Sequence, residues 1–252
     1  MSSVAHRSMD ANPPKGLPEI RARRVHQAQP QFANLLTPEQ QLRLREIAEL
    51  VEFRGNEPVF AEGAQAEYMY MVASGMVRIS RRAASGRQQV ISFLLAGDIF
   101  GQLPEEGFYI NSAMAMGSTA LYRIRLARLE ELLRLEPQLQ HNFLVRMAFD
   151  LRQAQKRILV LGQQNVSQRL ASFLLELMEH GDFYDDRQKQ LSLPLSRFDL
   201  GDYLGTSPET VVRVLSRLEN DGLIKRLSSR LLLIPSRDAL ARLLRGRRRN
   251  DG

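Results

Sequence analysis

The chain has 252 residues and no cysteine. That absence excludes disulfides, thiol redox switches, cysteine nucleophiles and cysteine-held iron–sulfur clusters. Histidine is scarce. His6, His26, His141 and His180 are the whole set, and none lies between Val51 and Arg125. No run approaches the ~18 apolar residues of a membrane helix; "ILVLG" and "RLLLI" are too short. The opening "MSSVAHRSMDANPPKGLPEIRARR" has no apolar core of the kind a secretory signal needs, so the expected location is the cytoplasm. A Gly-rich phosphate loop and a nucleophile elbow are also missing, which leaves no support for an enzyme.

What is present describes a globular protein of one large domain or two, with 44% apolar and 25% charged residues. The net charge of +7 sits at the two ends. Residues 1–30 hold five basic side chains against two acidic, residues 31–180 hold sixteen of each, and residues 181–252 hold fourteen against ten. A basic C-terminal region suits a polyanion such as DNA. Residues 1–33 are polar, proline-bearing and aperiodic, and read as a flexible arm.

A short helical segment begins within "LLTPEQQLRLREIAEL", with Thr37 as N-cap and Pro38 at the first position. From Val51 to Arg125 the pattern is of short β-type runs with turn signals at Gly63, Gly75, Gly86 and Gly97, which predicts an antiparallel β-roll or barrel. A cupin-type metal enzyme would need histidines on those strands, and they have none. Helical pattern returns at Leu126. After Pro137 it becomes an a/d stripe of Leu144, Met147, Leu151, Ala154, Ile158 and Leu161, with Arg146, Asp150, Arg152 and Lys156 off the seam. Such a stripe packs either on its own domain or in a two-stranded coiled coil between protomers, and the second reading is preferred. Gly162 is the expected hinge, and "NVSQRLASFLLELMEHG" the next helix. The predicted parts are thus an arm (1–33), a β-roll sensor (34–136), a dimerisation helix (137–162) and a C-terminal unit (163–252).

That last unit carries the chemistry. Ser196 and Asp199 are spaced for a capping box. "GTSPETVVRVLSRLENDGLIKR" follows with both helix ends marked: Ser207 as N-cap, Pro208 at the first position, Gly222 just past the end. Two short helices and a tight turn make a helix-turn-helix, whose second helix enters the major groove N-terminus first. Glu209 can accept from cytosine N4, and Arg213 can donate twice to guanine O6 and N7. An exposed ion pair between the two is the bland alternative. Leu200, Leu204, Val211, Val214, Leu215 and Leu218 are the expected glue between the helices. "LIKRLSSRLLLI" reads as a hairpin wing around Ser228–Ser229. Thr210, Arg217, Lys225, Arg226 and Arg230 are the phosphate candidates, with Ser196, Arg197 and Ser207 at the two helix starts.

These stretches resemble the Crp/Fnr transcription regulators, especially their FixK/Fnr-like branch. The resemblance runs from about Leu36 to Pro235. Its strongest piece is "LPLSRFDLGDYLGTSPETVVRVLSRLENDGLI". Its second is the β-roll series "FRGNEPVFAEG", "SGMVRI" and "AGDIFG", which cyclic-nucleotide-binding domains outside the family share. It implies an α+β chain: an N-terminal antiparallel β-roll like a cyclic-nucleotide-binding domain, a long dimerisation helix and a C-terminal winged helix-turn-helix. It further implies a homodimer on an inverted repeat, with recognition helices about 34 Å apart, and control of RNA polymerase at promoters. In the Fnr-like branch the motif is Glu, two residues, then Ser-Arg. Here Glu209 and Arg213 match it and would read the G·C pair of a TTGA…TCAA repeat. Val212 replaces the serine and offers only methyl groups to thymine. Pro208 stands where cAMP-receptor proteins have arginine, which favours the Fnr-like branch.

Cyclic-nucleotide members hold their ligand with a Gly-Glu-Leu turn and an Arg-Ser pair. The matching stretch is "GQLPEEGFYINSA". Gly101 and Leu103 keep the turn, but Gln102 replaces its glutamate, and Asn111 replaces the arginine before Ser112. Without that arginine the cyclic phosphate has no charged partner, which argues against cAMP or cGMP. An Fnr-type cluster lacks its cysteines. Haem would fall to His141, where a solvated histidine is the preferred reading. No cofactor is therefore expected, and either a small apolar effector in the roll or no effector remains. The alternative function is a regulatory ligand-binding module whose winged helix contacts protein rather than DNA.

Overall fold

The computed structural model describes residues 36–83, 86, 88–101 and 106–244. The arm expected over residues 1–33 lies outside them. Helix α1 (Pro38–Glu46) starts at a closed capping box: Thr37 Oγ1 accepts the Gln40 N–H at 3.3 Å, and Gln40 Oε1 accepts the Thr37 N–H at 3.0 Å. The β pattern expected from Val51 starts three residues earlier. Strand β1 (Ala48–Phe53) already begins there, because its ladder opens at Ala48↔Ile124 and cross-strand pairing overrides local propensity.

The roll is one antiparallel sheet. Strands β1, β6 (Ser112–Arg125), β3 (Tyr68–Arg82) and β4 (Gln88–Leu94) lie side by side in that order. β2 (Pro58–Phe60) pairs with β6, and β5 (Ile99–Phe100) pairs with β3. Gly63, Gly86 and Gly97 lie between strands, with left-handed backbones. Gly75, also read as a turn, is instead a bulge inside the 15-residue β3, where the register to β6 shifts between Ser74 and Met76. A Cβ at Gly75 would sit 2.5 Å from the Ser118 carbonyl oxygen, so only glycine lets the two strands bend together there. Inside the roll Tyr70, Val72, Val77, Ile79, Phe100, Tyr109 and Leu121 form one cluster.

Helix α2 (Leu126–Leu135) leads to α3 (Pro137–Gln163), 27 residues long. The first half of α3 buries Leu139 and Phe143 against Leu44, Met69, Ile99, Ile124 and Leu129. The hinge expected at Gly162 is corrected. The helix runs through that glycine, which costs only about 1 kcal/mol in a helix. The break comes at Gln164, whose backbone is extended (φ −97°, ψ 141°). Asn165 and Gln168 then close a reciprocal capping box at the start of α4 (Val166–Leu177).

Next come β7 (Tyr184–Asp185), β8 (Gln190–Ser192), α5 (Arg197–Leu204), α6 (Pro208–Asn220), β9 (Lys225–Arg226), β10 (Leu231–Leu233) and α7 (Arg237–Leu244). The four strands form a sheet in the order β7-β8-β10-β9. The core under them joins Leu170, Leu174 and Leu177 to Leu200, Leu204, Val211, Leu215 and Leu218, and continues into Met76, Val90, Phe93 and Leu95 of the roll. No helix among the described residues is long and apolar enough to cross a membrane.

Candidate nucleic-acid interface

Local chemistry sets the two helices of the C-terminal unit. Ser207 Oγ accepts the Thr210 N–H at 3.2 Å, and Pro208 opens α6 without wasting a donor. At the far end the Gly222 N–H reaches Glu219 O at 3.0 Å and the Leu223 N–H reaches Leu218 O at 2.9 Å, closing a Schellman motif around the left-handed Gly222. Helix α5 stops at Gly205, φ 65°. Leu200, Leu204, Val211, Leu215 and Leu218 are buried and Val214 packs against them, as their spacing predicts. Gly201, which the sequence reading passed over, matters as much. A Cβ there would lie 2.9 Å from Thr206 O, so the helix meets the turn at backbone distance.

The opposite face of α6 is open. Glu209, Val212, Arg213 and Arg217 are exposed. Arg213 Nη2 donates to Thr210 Oγ1 at 3.0 Å, and that same hydroxyl accepts from Ser207 Oγ at 3.2 Å. Thr210, a phosphate candidate, thus orients the Arg213 guanidinium in the free protein. The Glu209 carboxyl is held below its ordinary range by its own backbone N–H at the helix start, then by Ser207 and by Arg213. It stays an ionised acceptor.

The wing turns between β9 and β10, where the Leu227 and Ser228 N–H groups share Leu231 O at 2.9 and 3.1 Å. Two phosphate candidates hold this turn in place. Arg226 grips Glu219 of α6 through Nε at 2.7 Å and Nη2 at 2.6 Å, and its backbone N–H adds a third bond at 2.8 Å. Arg197 Nη2 donates to Ser229 O at 3.0 Å. Burial, with Arg226 nearby, lowers the Arg197 pKa from the ordinary arginine value. The Ser196 hydroxyl caps α5 by accepting the Asp199 N–H at 3.0 Å, and donates to Asp199 Oδ2 at 2.6 Å. The expected capping box is therefore corrected: the carboxylate returns to the hydroxyl, not to the backbone N–H. Arg217, Lys225 and Arg230 face water, and none has a side-chain hydrogen-bond or ion-pair partner among the described residues.

Along α3 the expected seam is open too. Leu144, Leu151 and Ile158 are 64%, 60% and 69% exposed, and Ala154 and Leu161 are exposed beside them. Met147 is the exception. It is half-buried against the Leu139–Phe143 cluster of its own domain, and the neighbouring Ala148 faces out in its place. Arg146, expected off the seam, is buried: it binds Asp98 Oδ1 and Asp150 Oδ1, each at 2.9 Å, and Gly97 O at 3.3 Å.

In the roll the residues of the degenerate effector site are scattered in role. Gln102 and Leu103 lie outside the described residues. Gly101 is left-handed, with Tyr68 O 3.0 Å from where its Cβ would stand. Ser112 Oγ accepts the Glu62 N–H at 3.0 Å. Asn111 Oδ1 is buried without a partner. Around them Phe60 stacks on Tyr109 with centroids 3.7 Å apart, Tyr70 stacks on Phe100 at 5.2 Å, and Tyr109 Oη donates to Tyr68 O at 2.8 Å. Burial pushes the Tyr70 hydroxyl up, and Tyr109 adds to it. His141 is exposed. Among the described residues no cluster of three His, Asp or Glu side chains could hold a metal ion.

Residues 168–243 match the Crp-like helix-turn-helix domain, and residues 50–136 match the cyclic nucleotide-binding domain. The nitrogen fixation regulation protein FixK of Azorhizobium caulinodans is 35% identical over 192 residues, covering 76% of this chain and 77% of that protein. FixK of Rhizobium meliloti is 34% identical, covering 76% and 85%. Among solved structures, FixK2 from Bradyrhizobium japonicum superposes with a TM-score of 0.70 at 32% identity, covering 78% of this chain and 97% of that one.

Proposed function

The chain belongs to the Crp/Fnr family of transcription regulators, with a helix-turn-helix DNA-binding domain, and we propose that it acts as a homodimer on an inverted repeat of the TTGA…TCAA type. The observation that carries this reading is the open polar face of α6, where Glu209 and an oriented Arg213 stand four residues apart at the leading end. Glu209 accepts from cytosine N4 while Arg213 donates to guanine O6 and N7 of a neighbouring pair. Val212, between them, offers methyl contact to thymine. Arg217, Lys225 and Arg230 neutralise phosphates, with Ser196 and Ser207 at the helix starts. Arg197 and Arg226 act first by holding the wing.

The exposed stripe on α3 supports the dimer, in which two protomers bury Leu144, Leu151, Ala154, Ile158 and Leu161 against each other. The aromatic filling of the roll favours a regulator without cyclic nucleotide, haem or other cofactor. Stutzerimonas stutzeri FnrA, 29% identical, is named a transcriptional activator, which supports activation of RNA polymerase at promoters, in the cytoplasm, as the role here. Fluorescence anisotropy of the purified, ligand-free protein tests the reading. A TTGA…TCAA duplex should bind far more tightly than a scrambled one, with affinity falling steeply as salt rises. Equal, salt-insensitive binding to both would instead support a winged helix that contacts protein.

A further inference from the structure

The roll and the winged unit are joined by more than the chain between them. Arg78 of β3 pairs with Asp199 of α5, both side chains largely buried, and the same carboxylate takes the Ser196 hydroxyl. Nearby the Gly75 N–H donates to Asp182 Oδ2 at 3.1 Å. Phe93 of β4 packs at a tilt against Tyr203 of α5, with ring centroids 5.0 Å apart, and against Phe173 of α4 at 5.7 Å. Arg157, one residue before Ile158 on α3, lies 3.6 Å over the Tyr203 ring and donates to Tyr203 O at 2.6 Å. Roll, α3 and α5 therefore meet at one joint, and the core runs through it without a gap.

Buried ion pairs are sensitive to geometry, since a slip of either partner strands an unpaired charge. Cation–π contacts likewise hold only over a narrow range of positions. A single chain crossing at Gln164 and Asn165 would let α5 and α6 swing; Arg78 of β3, Phe93 of β4 and Arg157 of α3 remove that freedom. We infer that Arg78 and Arg157 are positioning residues that set how far apart, and at what angle, the two α6 helices of a dimer stand. They act through Asp199 and Tyr203, and touch no base. The spacer length tolerated between half-sites then resides in this joint. The inference rests on the DNA-binding dimer proposed above.

The test uses the full chain in two experiments. In calorimetry without DNA, the wild type should unfold in one transition, because the two ends share a core and a joint. Two separate transitions in the wild type would overturn the joint, whatever the protein does on DNA. In anisotropy, duplexes with the half-site spacer lengthened or shortened by one base pair are compared with the preferred one. Arg78→Ala and Arg157→Ala should each lose about tenfold on the preferred spacer and much less on the shifted ones, flattening the profile. Arg78→Lys, which keeps the charge, should retain most of the preference. Residues that merely stabilise the fold would lower Tm and leave the profile unchanged, and that result would overturn the positioning role. A wild type that prefers no repeat over scrambled DNA would overturn the DNA reading and the positioning role together, and leave the joint to calorimetry.

Discussion

In the β-roll, Ser112 Oγ and Tyr109 Oη are both engaged by backbone groups of their own domain, whereas in the winged unit Arg217, Lys225 and Arg230 face water. The roll closes its interior with stacked rings; the winged unit keeps its donors outside and hydrated. The contrast follows from where each group sits. A polar group buried in the roll without a partner costs about 1–3 kcal/mol, and Ser112 and Tyr109 avoid that cost through backbone partners. A donor on α6 or the wing costs nothing while water covers it, and can exchange water for phosphate. A cation that water already covers keeps its donors ready for an anion, and Arg217, Lys225 and Arg230 stand in that condition.

The comparison can be broken at its shared core first. Phe93→Ala removes a ring between the two ends and should cost about 3–5 kcal/mol in thermal unfolding. If only the roll's signals shift, the ends do not share a core. Leu151→Glu places a charge in the apolar stripe and should leave protomers sedimenting as monomers at concentrations where the wild type is dimeric; an unchanged dimer would remove that stripe from the interface. On the open side, Arg213→Ala should cost about 1–3 kcal/mol on the cognate site and relax selectivity at one base pair. Equal losses on cognate and scrambled duplexes would take base reading away from Arg213. Arg230→Ala should weaken all sequences alike and reduce the salt slope by about one.

The smallest expected effect is a matter of pH. Burial pushes the Glu176 carboxyl up from its ordinary 4.5; Asp98 adds to the shift, while Arg157 and Lys156 oppose it. A raised value means that folding favours the protonated form. The charged form therefore weakens the fold above the folded-state pKa, and this penalty fades as pH falls toward 4.5. Glu176→Gln should accordingly raise Tm at pH 7, with the gain gone near pH 4. A lower Tm at pH 7 would mean that the pairing with Arg157 and Lys156 outweighs burial.

Features decided by near neighbours were legible in the sequence. Thr37, Ser207 and Gly222 are recognised by their own few residues, and the structure caps helices at each of them. The apolar spacing of α5 and α6 likewise names the side chains that end up buried. What escaped depends on distant partners. A left-handed glycine at 75 looks the same in a turn as in a bulge, and only the register with β6 distinguishes them. Ala48 begins a strand because Ile124 is opposite it. Arg197 and Arg226 read as free cations until Ser229 and Glu219 arrive beside them. Met147 fits the heptad as well as Leu144 does, yet α3 turns it toward Phe143. Sequence period ranks a helix face; only the packed neighbours decide which residue at its edge goes inward.

The bare leucines and isoleucine of α3 carry one last consequence. Protomers that hide this stripe only against each other form an assembly whose abundance, when dilute, grows as the square of the supply. Halving synthesis would then cut the DNA-competent species about fourfold. In such an assembly the response to supply is sharp because two chains have to meet.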